Sequence, residues 1–458
     1  MSRPSALSGF PEFLPSQRAA ELVIIDSLRE SFELHGFASL ETRFVEPLDQ
    51  LLRKGETSNE VYVLRRLHAD DDDESAPGLG LHFDLTVPLA RYVVEHQGQL
   101  AFPFRRYQIQ RCWRGERPQE GRYREFTQAD IDIIGRDTLG FEADIEVLEV
   151  MAEAMSRLPV PPLTLHVNNR KLIQGFYLGL GIGAGPPVID VIRAMDKLDK
   201  IGPDGVRALL LAQGLSRDQA EQCLALASIK GTDIGFADEV RSLGIEHELL
   251  EEGLSDLVRA VESTAHTRSD QFSVVADLQI ARGLDYYTGT VFEGRMDLLG
   301  SLSICAGGRY DALASDGRST YPGVGISLGI TRLVAPLVAR GLFDADRSVP
   351  SAVLVALPDE GARVRVRAVA RALRARGIPT EVAPTPAKYG KQIRHADRRG
   401  IPFVWFPADE GSGDSDQVRD IRSGDQQPAD AGAWTPPAED LKPHIINPAQ
   451  RAAQGETS

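Results

Sequence analysis

The sequence has two regions with different orders of predicted strands and helices. In the first region, a block of helices separates two groups of strands. Strand-like segments occur before residue 135 and again over residues 272–329, and a helix-patterned block rich in Ala, Leu, Asp and Glu separates them. From residue 352 onward, strands and helices alternate one by one. The sequence therefore predicts an α+β domain, an antiparallel sheet flanked by helices with a helical insertion, followed by a small α/β domain with parallel strands.

The predicted boundaries divide the 458 residues into residues 1–345 for the first domain, 187–266 for the insertion within it, 349–445 for the α/β domain and 446–458 for a flexible tail. A helix is expected after Ser16 and another from Glu142 to Arg157. Half-buried strands are expected at FASLETRFVEP (37–47) and LHFDLTVP (81–88). The acidic run 70–74 is interpreted as an exposed hairpin loop.

Composition excludes several classes of protein. No apolar run approaches the roughly 18 residues of a membrane span, and the N-terminus lacks the apolar segment of a secretory signal. Cys112, Cys223 and Cys305 are too isolated for a disulfide framework, and the nine histidines show no ligand spacing, so no tightly bound metal is expected. We therefore expect a soluble cytoplasmic protein.

Two basic segments contrast with the formal net charge of −15. Residues 104–124 contain seven arginines and two glutamates. Residues 361–400 contain eleven basic side chains opposed by Glu381 and Asp397. A single basic segment is more often a solvated face than a binding site. Two such segments on an acidic background fit a polyanionic ligand and a solvated face about equally well.

The segment 104–135 interleaves arginines with aromatic residues on two predicted strands. Because alternate strand residues point to the same face, Arg114 shares a face with Glu116. The matching face of the returning strand is formed by Phe126, Gln128, Asp130 and Asp132. A forked guanidinium that binds phosphate beside a ring that stacks on a base suits a nucleotide. The alternative is a hairpin whose arginines only decorate its edge.

Four further segments combine glycines or charges with aromatic and hydroxyl side chains. They are ARGLDYYTGTVFE (281–293), CAGGRYDAL (305–313), GVGISLGITRL (323–333) and LHFDLTVP. Close backbone approach to a ligand would explain the glycines, and tight strand packing would explain them equally well. Asp84 and Thr86 offer a carboxylate and a hydroxyl that suit a ligand ammonium group.

These segments together resemble the class II aminoacyl-tRNA synthetases, and specifically the histidyl-tRNA synthetases. GERPQEGRYREF, led by Arg114, is similar to motif 2, and GVGISLGITRL with Arg332 is similar to motif 3. The first helix and the strand ending at Pro47 resemble motif 1, which forms the dimer interface in the family. ARGLDYYTGTVFE and CAGGRYD resemble the two histidine-specific motifs. The resemblance extends from residue 9 to about 407 and includes a C-terminal anticodon-binding domain.

The resemblance implies that ATP and L-histidine form histidyl-adenylate and diphosphate, and that histidine then passes to tRNA(His) with release of AMP. Arg114 and Arg282 would be the catalytic residues at the α-phosphate. The implied ATP-binding residues are Arg114, Glu116, Arg122, Phe126 and Arg332. The implied histidine-binding residues are Asp84, Leu85, Thr86, Arg114, Gln128, Asp132, Arg282, Tyr286, Tyr287 and Tyr310. Mg²⁺ would accompany ATP, held chiefly by phosphates and water.

The implied partners are tRNA(His), L-histidine, ATP and a second copy of the chain, with no membrane. The residues predicted from their charge and spacing to bind tRNA are Arg363, Arg367, Arg371, Arg374, Lys388 and Lys391. The first four recur at helical spacing, so they share one helix face; a solvated face is the alternative.

Two segments depart from the bacterial pattern: FDLTVP replaces RPEGT, and Asp132 stands where bacterial members often carry Glu. Both resemble the archaeal and eukaryotic branch.

Two other functions remain open at the level of sequence. A regulatory subunit of ATP phosphoribosyltransferase generally lacks the anticodon domain and the set of arginines, whereas this chain has both. A module that senses uncharged tRNA could dispense with Arg114, Arg282 and Arg332, which are all present. The synthetase is therefore the favoured interpretation.

Overall fold

The computed structural model describes residues 5–52, 60–66, 78–280, 283, 287–300, 302–312, 314–409 and 413–447. The chain divides into two compact units, Met1–Pro11 with Ile25–Pro336 and Glu12–Ile24 with Leu337–Ser458. The acidic run 70–74, two residues of the predicted site (Arg282 and Tyr286) and most of the predicted tail (448–458) lie outside the described residues.

The α-helices of the described chain are α1 (Pro15–Leu34), α2 (Leu48–Leu51), α3 (Thr86–His96), α4 (Glu142–Ser156), α5 (Arg170–Gly179), α6 (Pro186–Met195), α7 (Leu198–Ala212), α8 (Arg217–Ser228), α9 (Phe236–Ser242), α10 (Glu248–Ser263), α11 (Ile330–Ala339), α12 (Arg363–Ala375) and α13 (Tyr389–Asp397). None of them has the length and apolar character needed to cross a lipid bilayer.

The strands of the described chain are β1 (Ala38–Ser39), β2 (Val45–Pro47), β3 (Val63–Leu64), β4 (Leu79–Leu81), β5 (Phe104–Trp113), β6 (Glu125–Ile134), β7 (Leu163–Asn169), β8 (Lys230–Gly231), β9 (Phe272–Asp277), β10 (Thr290–Met296), β11 (Ser303–Tyr310), β12 (Gly323–Gly329), β13 (Asp344–Ala345), β14 (Val353–Val355), β15 (Thr380–Val382), β16 (Phe403–Phe406), β17 (Gln417–Asp420), β18 (Gln426–Pro428) and β19 (Ile445–Ile446).

A nine-stranded sheet with the order β1-β5-β6-β12-β11-β10-β7-β9-β8 forms the first unit. Its inner pairs from β5 to β7 are antiparallel, but β1 runs parallel to β5 and β9 parallel to β7. The sheet is therefore mixed, and the predicted α+β class is confirmed. Helix α4 packs on β6 and β12, where Ile131 and Ile133 are buried. Because side chains alternate along a strand, Asp130 and Asp132 point to the opposite face.

Two predicted strands near the N-terminus are only partly present. The segment 37–47 contains two short strands instead of one: β1 joins the large sheet, and β2 joins a separate sheet with the order β2-β4-β3. The strand predicted at 81–88 is wrong beyond Leu81, because helix α3 begins at Thr86. The backbone N–H of Val87 donates to Asp84 Oδ1 at 3.0 Å, which is the hydrogen bond of a helix cap.

The last helix of the predicted insertion packs against the core of the first unit. Helix α10 contacts α5 and strand β7. A Cβ on Gly175 of α5 would overlap the backbone of Leu250, and Gly253 of α10 makes the reciprocal close approach to α5. A Cβ on Gly179 would be 2.5 Å from Ile245, so the chain leaves α5 and returns to α10 at adjacent points.

The second unit contains a five-stranded sheet with the order β15-β14-β16-β17-β18. Strands β15, β14 and β16 are parallel, and β17 and β18 extend the sheet in antiparallel fashion. Val366, Ala370 and Leu373 of α12 are buried with Val355 and Trp405 in one core. The predicted α/β class of this part is confirmed.

Candidate active site

A cavity of about 120 Å³ lies where the β5–β6 connection meets strands β11 and β12. Six residues of the predicted site line it: Arg114, Glu116, Arg122, Phe126, Gln128 and Arg332. They come from the end of β5, the loop that follows it, the start of β6 and the first turn of α11. The antiparallel register of β5, β6 and β12 thus gathers residues that are more than 200 positions apart in sequence.

Backbone carbonyl oxygens orient two of the arginines. Arg114 Nε donates to the carbonyl of Phe83 at 2.9 Å, and the Arg114 guanidinium carbon lies 5.0 Å from the centroid of the Phe126 ring. Arg332 Nε donates to the carbonyl of Gly121 at 2.6 Å and Nη1 to a carbonyl of β11 at 2.9 Å. Neutral acceptors fix these guanidinium groups without cancelling their charge.

The cavity has an excess of positive charge, because Arg114, Arg122 and Arg332 line it together with Glu116. The Glu116 carboxylate is shared: its Oε2 lies 3.4 Å from Arg122 Nη1, and its Oε1 lies 3.8 Å from Arg114 Nη1. Burial lowers the pKa of Arg332, and the nearby charge of Arg114 lowers it further. Like charges that converge in this way are stabilised by an anion, so the cavity suits a polyphosphate.

A buried polar cluster adjoins this cavity on the same face of the sheet. Tyr310 Oη donates to Asp132 Oδ1 at 2.6 Å, and Arg106 Nη2 lies 2.7 Å from Asp132 Oδ2. Arg106 is 0% exposed and Asp132 is 4% exposed. Burial raises the pKa of Asp132, and the positive charge of Arg106 opposes that shift. Arg106 therefore favours the carboxylate form of Asp132.

Of the other predicted histidine-binding residues, Asp84 and Tyr287 interact electrostatically with Asp132. Asp84 caps α3, Leu85 is buried, and Thr86 is the first residue of the helix. Burial raises the pKa of Tyr287 well above its usual value, and the charges of Asp132, Asp130 and Asp84 add to the shift. Asp84, Asp130, Asp132 and Tyr287 therefore lie close together.

The glycines of two motifs make room for these side chains. A Cβ on Gly325 would overlap Asp132 Oδ1, and a Cβ on Gly308 would lie 2.7 Å from the ring of Tyr287. Real Cβ atoms do not approach neighbours so closely. Tight strand packing was the second explanation for these glycines, and it accounts for both positions, because the added Cβ atoms would also meet the backbone oxygens of Ile131 and Thr290 on neighbouring strands.

Sequence reasoning missed Arg106 and Ser327, which lie on the same face of the sheet as the predicted residues. Alternation in the sequence placed Arg106 on one face of β5 with Gln108 and Gln110, but the burial of that face is visible only in the structure. The alternative of arginines that decorate the hairpin holds for Arg105, which pairs with Glu146 at 2.6 Å. It holds also for Arg111, paired at 2.8 Å with Glu125.

A groove of about 480 Å³ in the second unit is lined by Arg363, Arg367, Arg371 and Arg374 of α12 together with residues 381–384. Arg363 forms a double salt bridge with Glu360, with both N–O distances 2.6 Å, although helix α12 itself contains no acidic residue. Arg367 and Arg371 are exposed. Two lysines of the predicted tRNA contact, Lys388 and Lys391, are exposed at the start of α13.

No group of three or more His, Cys, Asp or Glu side chains in the described part of the chain is arranged to hold a metal ion. The polar atoms around the cavity are mostly arginine nitrogens, which do not bind cations.

Comparison with known proteins agrees with this geometry. Residues 9–333 match the family model for histidyl-tRNA synthetase, and residues 352–431 match the model for an anticodon binding domain. The histidine–tRNA ligase of Cutibacterium acnes is 58% identical over 97% of this chain and 99% of its own length. That of Micrococcus luteus is 54% identical over 97% and 99%.

A solved structure supports the same relationship. The histidyl-tRNA synthetase of Nostoc sp. has a TM-score of 0.82 and 33% sequence identity, covering 94% of this chain and 98% of its own. The family model, the near full-length relatives and the shared fold lead to one conclusion: this chain belongs to the histidyl-tRNA synthetase family.

Proposed function

We propose that this chain attaches histidine to tRNA(His), with MgATP in the arginine-lined cavity and histidine in the adjoining polar cluster. In the first step, a histidine carboxylate oxygen attacks the α-phosphorus and diphosphate leaves. In the second, a ribose hydroxyl at the end of the tRNA attacks the acyl carbon and AMP leaves. The observation that carries the proposal is the convergence of Arg114, Arg122 and Arg332 around Phe126, beside Gln128.

The arginines have separate roles in the first step. Arg114 and Arg282 act at the α-phosphate, where negative charge grows in the transition state, and Arg122 and Arg332 hold the β- and γ-phosphates. Loss of one group aimed at developing charge typically costs on the order of 10²–10³ in rate. Phe126 stacks on adenine and Glu116 orients it, an assignment supported by the position of both side chains in the wall of the cavity.

The polar cluster recognises histidine. Asp84, Thr86 and Gln128 bind the α-ammonium, with Leu85 as buried support. The ring lies against Asp132 and the tyrosines Tyr286, Tyr287 and Tyr310. An amino acid without a polar ring leaves buried polar groups unpaired, which is how such a site rejects it.

Histidine-dependent exchange of diphosphate into ATP tests this function. The purified chain should catalyse exchange with L-histidine and not with phenylalanine, which has a ring of related shape and no nitrogen. Absence of histidine-dependent exchange would contradict the proposal and favour a regulatory or sensor role, since neither of those needs adenylate chemistry.

We propose that residues 349–445 bind the anticodon arm and that residues 1–345 hold the chemistry. The exposed arginines of the α12 groove support an RNA contact. Arg367→Gln with Arg371→Gln should flatten the slope of log K for tRNA against log salt by about 0.7–0.9 per lost contact. Arg363→Gln is the matched control with a smaller effect, because Glu360 already neutralises Arg363. Equal slopes in the wild type, the double variant and the Arg363→Gln variant would exclude this face of α12 as a tRNA contact.

We further propose that the chain is a cytoplasmic homodimer. The small β2-β4-β3 sheet exposes three apolar side chains, Val63 (64%), Leu64 (39%) and Leu79 (41%), which supports a protein interface there. Sedimentation should give a dimer, and Val63→Lys should shift the equilibrium toward monomer. A monomer at micromolar concentration would contradict the proposal.

A further inference from the structure

Asp130 has no role in the proposed reaction, yet it lies under the site. It is 3% exposed on β6 and faces Ser327 of β12 in the antiparallel register. Ser327 and Gln128 line the cavity, whereas Asp130 does not. Ser327 and Gln128 therefore connect Asp130 to a ligand in the cavity.

The hydrogen bonds of the three residues form a chain with a fixed direction. Ser327 Oγ donates to Asp130 Oδ1, and Gln128 Nε2 donates to Ser327 Oγ at 2.6 Å. An ionised carboxylate only accepts hydrogen bonds, so the single hydroxyl proton of Ser327 must point to Asp130. Gln128 then finds a lone pair on Ser327 and must present its NH₂ group there.

The opposite end of the Gln128 amide is fixed at the same time. The Cys112 thiol donates to Gln128 Oε1 at 3.2 Å, and burial raises the pKa of Cys112 well above its usual value, so the thiol keeps its proton. The amide oxygen retains a second lone pair. A substrate ammonium has only protons to donate and requires this oxygen.

We infer that Asp130 is a positioning residue that, through Ser327, holds the Gln128 amide with its oxygen available to the α-ammonium of histidine. This inference rests on the proposed function, in which Gln128 binds that ammonium. If the amide were reversed, its NH₂ group would meet the ammonium, and both groups would be donors.

The charged and titratable groups that face Asp130 decide when this arrangement holds. They are Arg106 and Cys112 of β5, Asp132 of β6, Cys305 of β11, Asp84 before α3, and Tyr287. Burial raises the pKa of Asp130 to about 7, Arg106 opposes the shift and Asp132 adds to it. Protonated Asp130 can donate to Ser327, whose proton is then free to point at Gln128, and the amide loses its preferred orientation. Histidine binding should therefore weaken as the pH falls through 7.

The test measures KM for histidine in ATP–diphosphate exchange from pH 6 to 9, for the wild type, Asp130→Asn and Ser327→Ala. At pH 8.5 each variant should raise KM for histidine roughly tenfold, with kcat and KM for ATP changed less than about twofold. At pH 6 the ratio of variant to wild-type KM should approach one. The double variant should be no worse than either single variant, because both break one chain of hydrogen bonds.

Ser327→Thr keeps the hydroxyl and should retain a KM close to the wild type at pH 8.5. A pH-independent ratio, a loss confined to kcat, or additive effects in the double variant would overturn the inference, because each is the behaviour of a merely structural residue. A wild-type chain without histidine-dependent exchange would instead overturn the proposed function itself.

Discussion

Arg106→Met should destabilise the large sheet far more than the same change at the neighbouring arginine. Arg106 is fully buried and lies 2.7 Å from Asp132, so the variant leaves a buried carboxylate without its cation. Breaking such a pair costs about 3–5 kcal/mol. Arg105 follows the opposite face of β5, and its bond to Glu146 is partly exposed, with side chains 38% and 32% accessible. Arg105→Met should therefore cost at most about 1 kcal/mol.

Hydrogen-exchange mass spectrometry measures this difference where it arises. The opening free energies of peptides from β5 and β6 report on the first unit, and peptides from β14 and β16 serve as an internal reference in the second. Adding Asp132→Asn to Arg106→Met should recover part of the loss, because the unpaired charge is removed. Equal destabilisation by the Arg105 and Arg106 variants would refute the reasoning.

The deficit of Arg106→Met should also depend on pH. Burial raises the pKa of Asp132, and Arg106 holds it down. Without Arg106 the pKa in the folded state rises further above the value in the unfolded chain. A raised carboxyl pKa costs stability at pH values above the unfolded pKa, and the cost disappears once both states are protonated. The deficit should therefore be greatest near pH 8 and shrink toward pH 4.

Two other variants test the site by different means. Gly325→Ala should reduce histidine-dependent exchange by at least about tenfold, because the added Cβ overlaps Asp132 Oδ1, while Gly98→Ala, with no atom within 4 Å of its Cβ, should leave it unchanged. Arg282→Ala should lower the rate of adenylate formation on the order of 10²–10³-fold, while amide hydrogen exchange in β5 and β6 stays normal. Near-normal ATP–diphosphate exchange in this variant would contradict the role assigned to Arg282.

Strict alternation made the long strands predictable from sequence. Strands β5 and β6 each have ten residues, and polar and apolar side chains alternate through their centres, over 106–110 in β5 and 128–133 in β6. That pattern has few competing structures. The segment 81–88 misled the prediction because His82 and Asp84 alternate with apolar residues as a strand would. The capping carboxylate of Asp84 and the proline Pro88 in the first turn were the stronger signal for a helix start.

The sequence predicted where the site lies better than it predicted which side chains hold the site residues in place. Sequence motifs identified Gln128 and Asp132, but the side chains that fix them, Ser327 and Arg106, act across strand pairs. Which residues face each other depends on register, and a single sequence contains no direct record of register. In the same way, the pairing of Arg363 with Glu360 crosses the start of α12, where periodicity along the helix gives no information.

The close packing of α5 against α10 has a consequence for how this architecture can change over time. Since Gly179 and Ile245 are neighbours in space, the polypeptide between them begins and ends at nearly the same point. Its removal would take away an outermost strand, β8, and no inner strand of the sheet. A segment with that connectivity can be acquired, lengthened or lost in a single genetic event while the path of the remaining chain stays the same. The chain between Gly179 and Ile245 can therefore vary in length without moving an inner strand of the sheet.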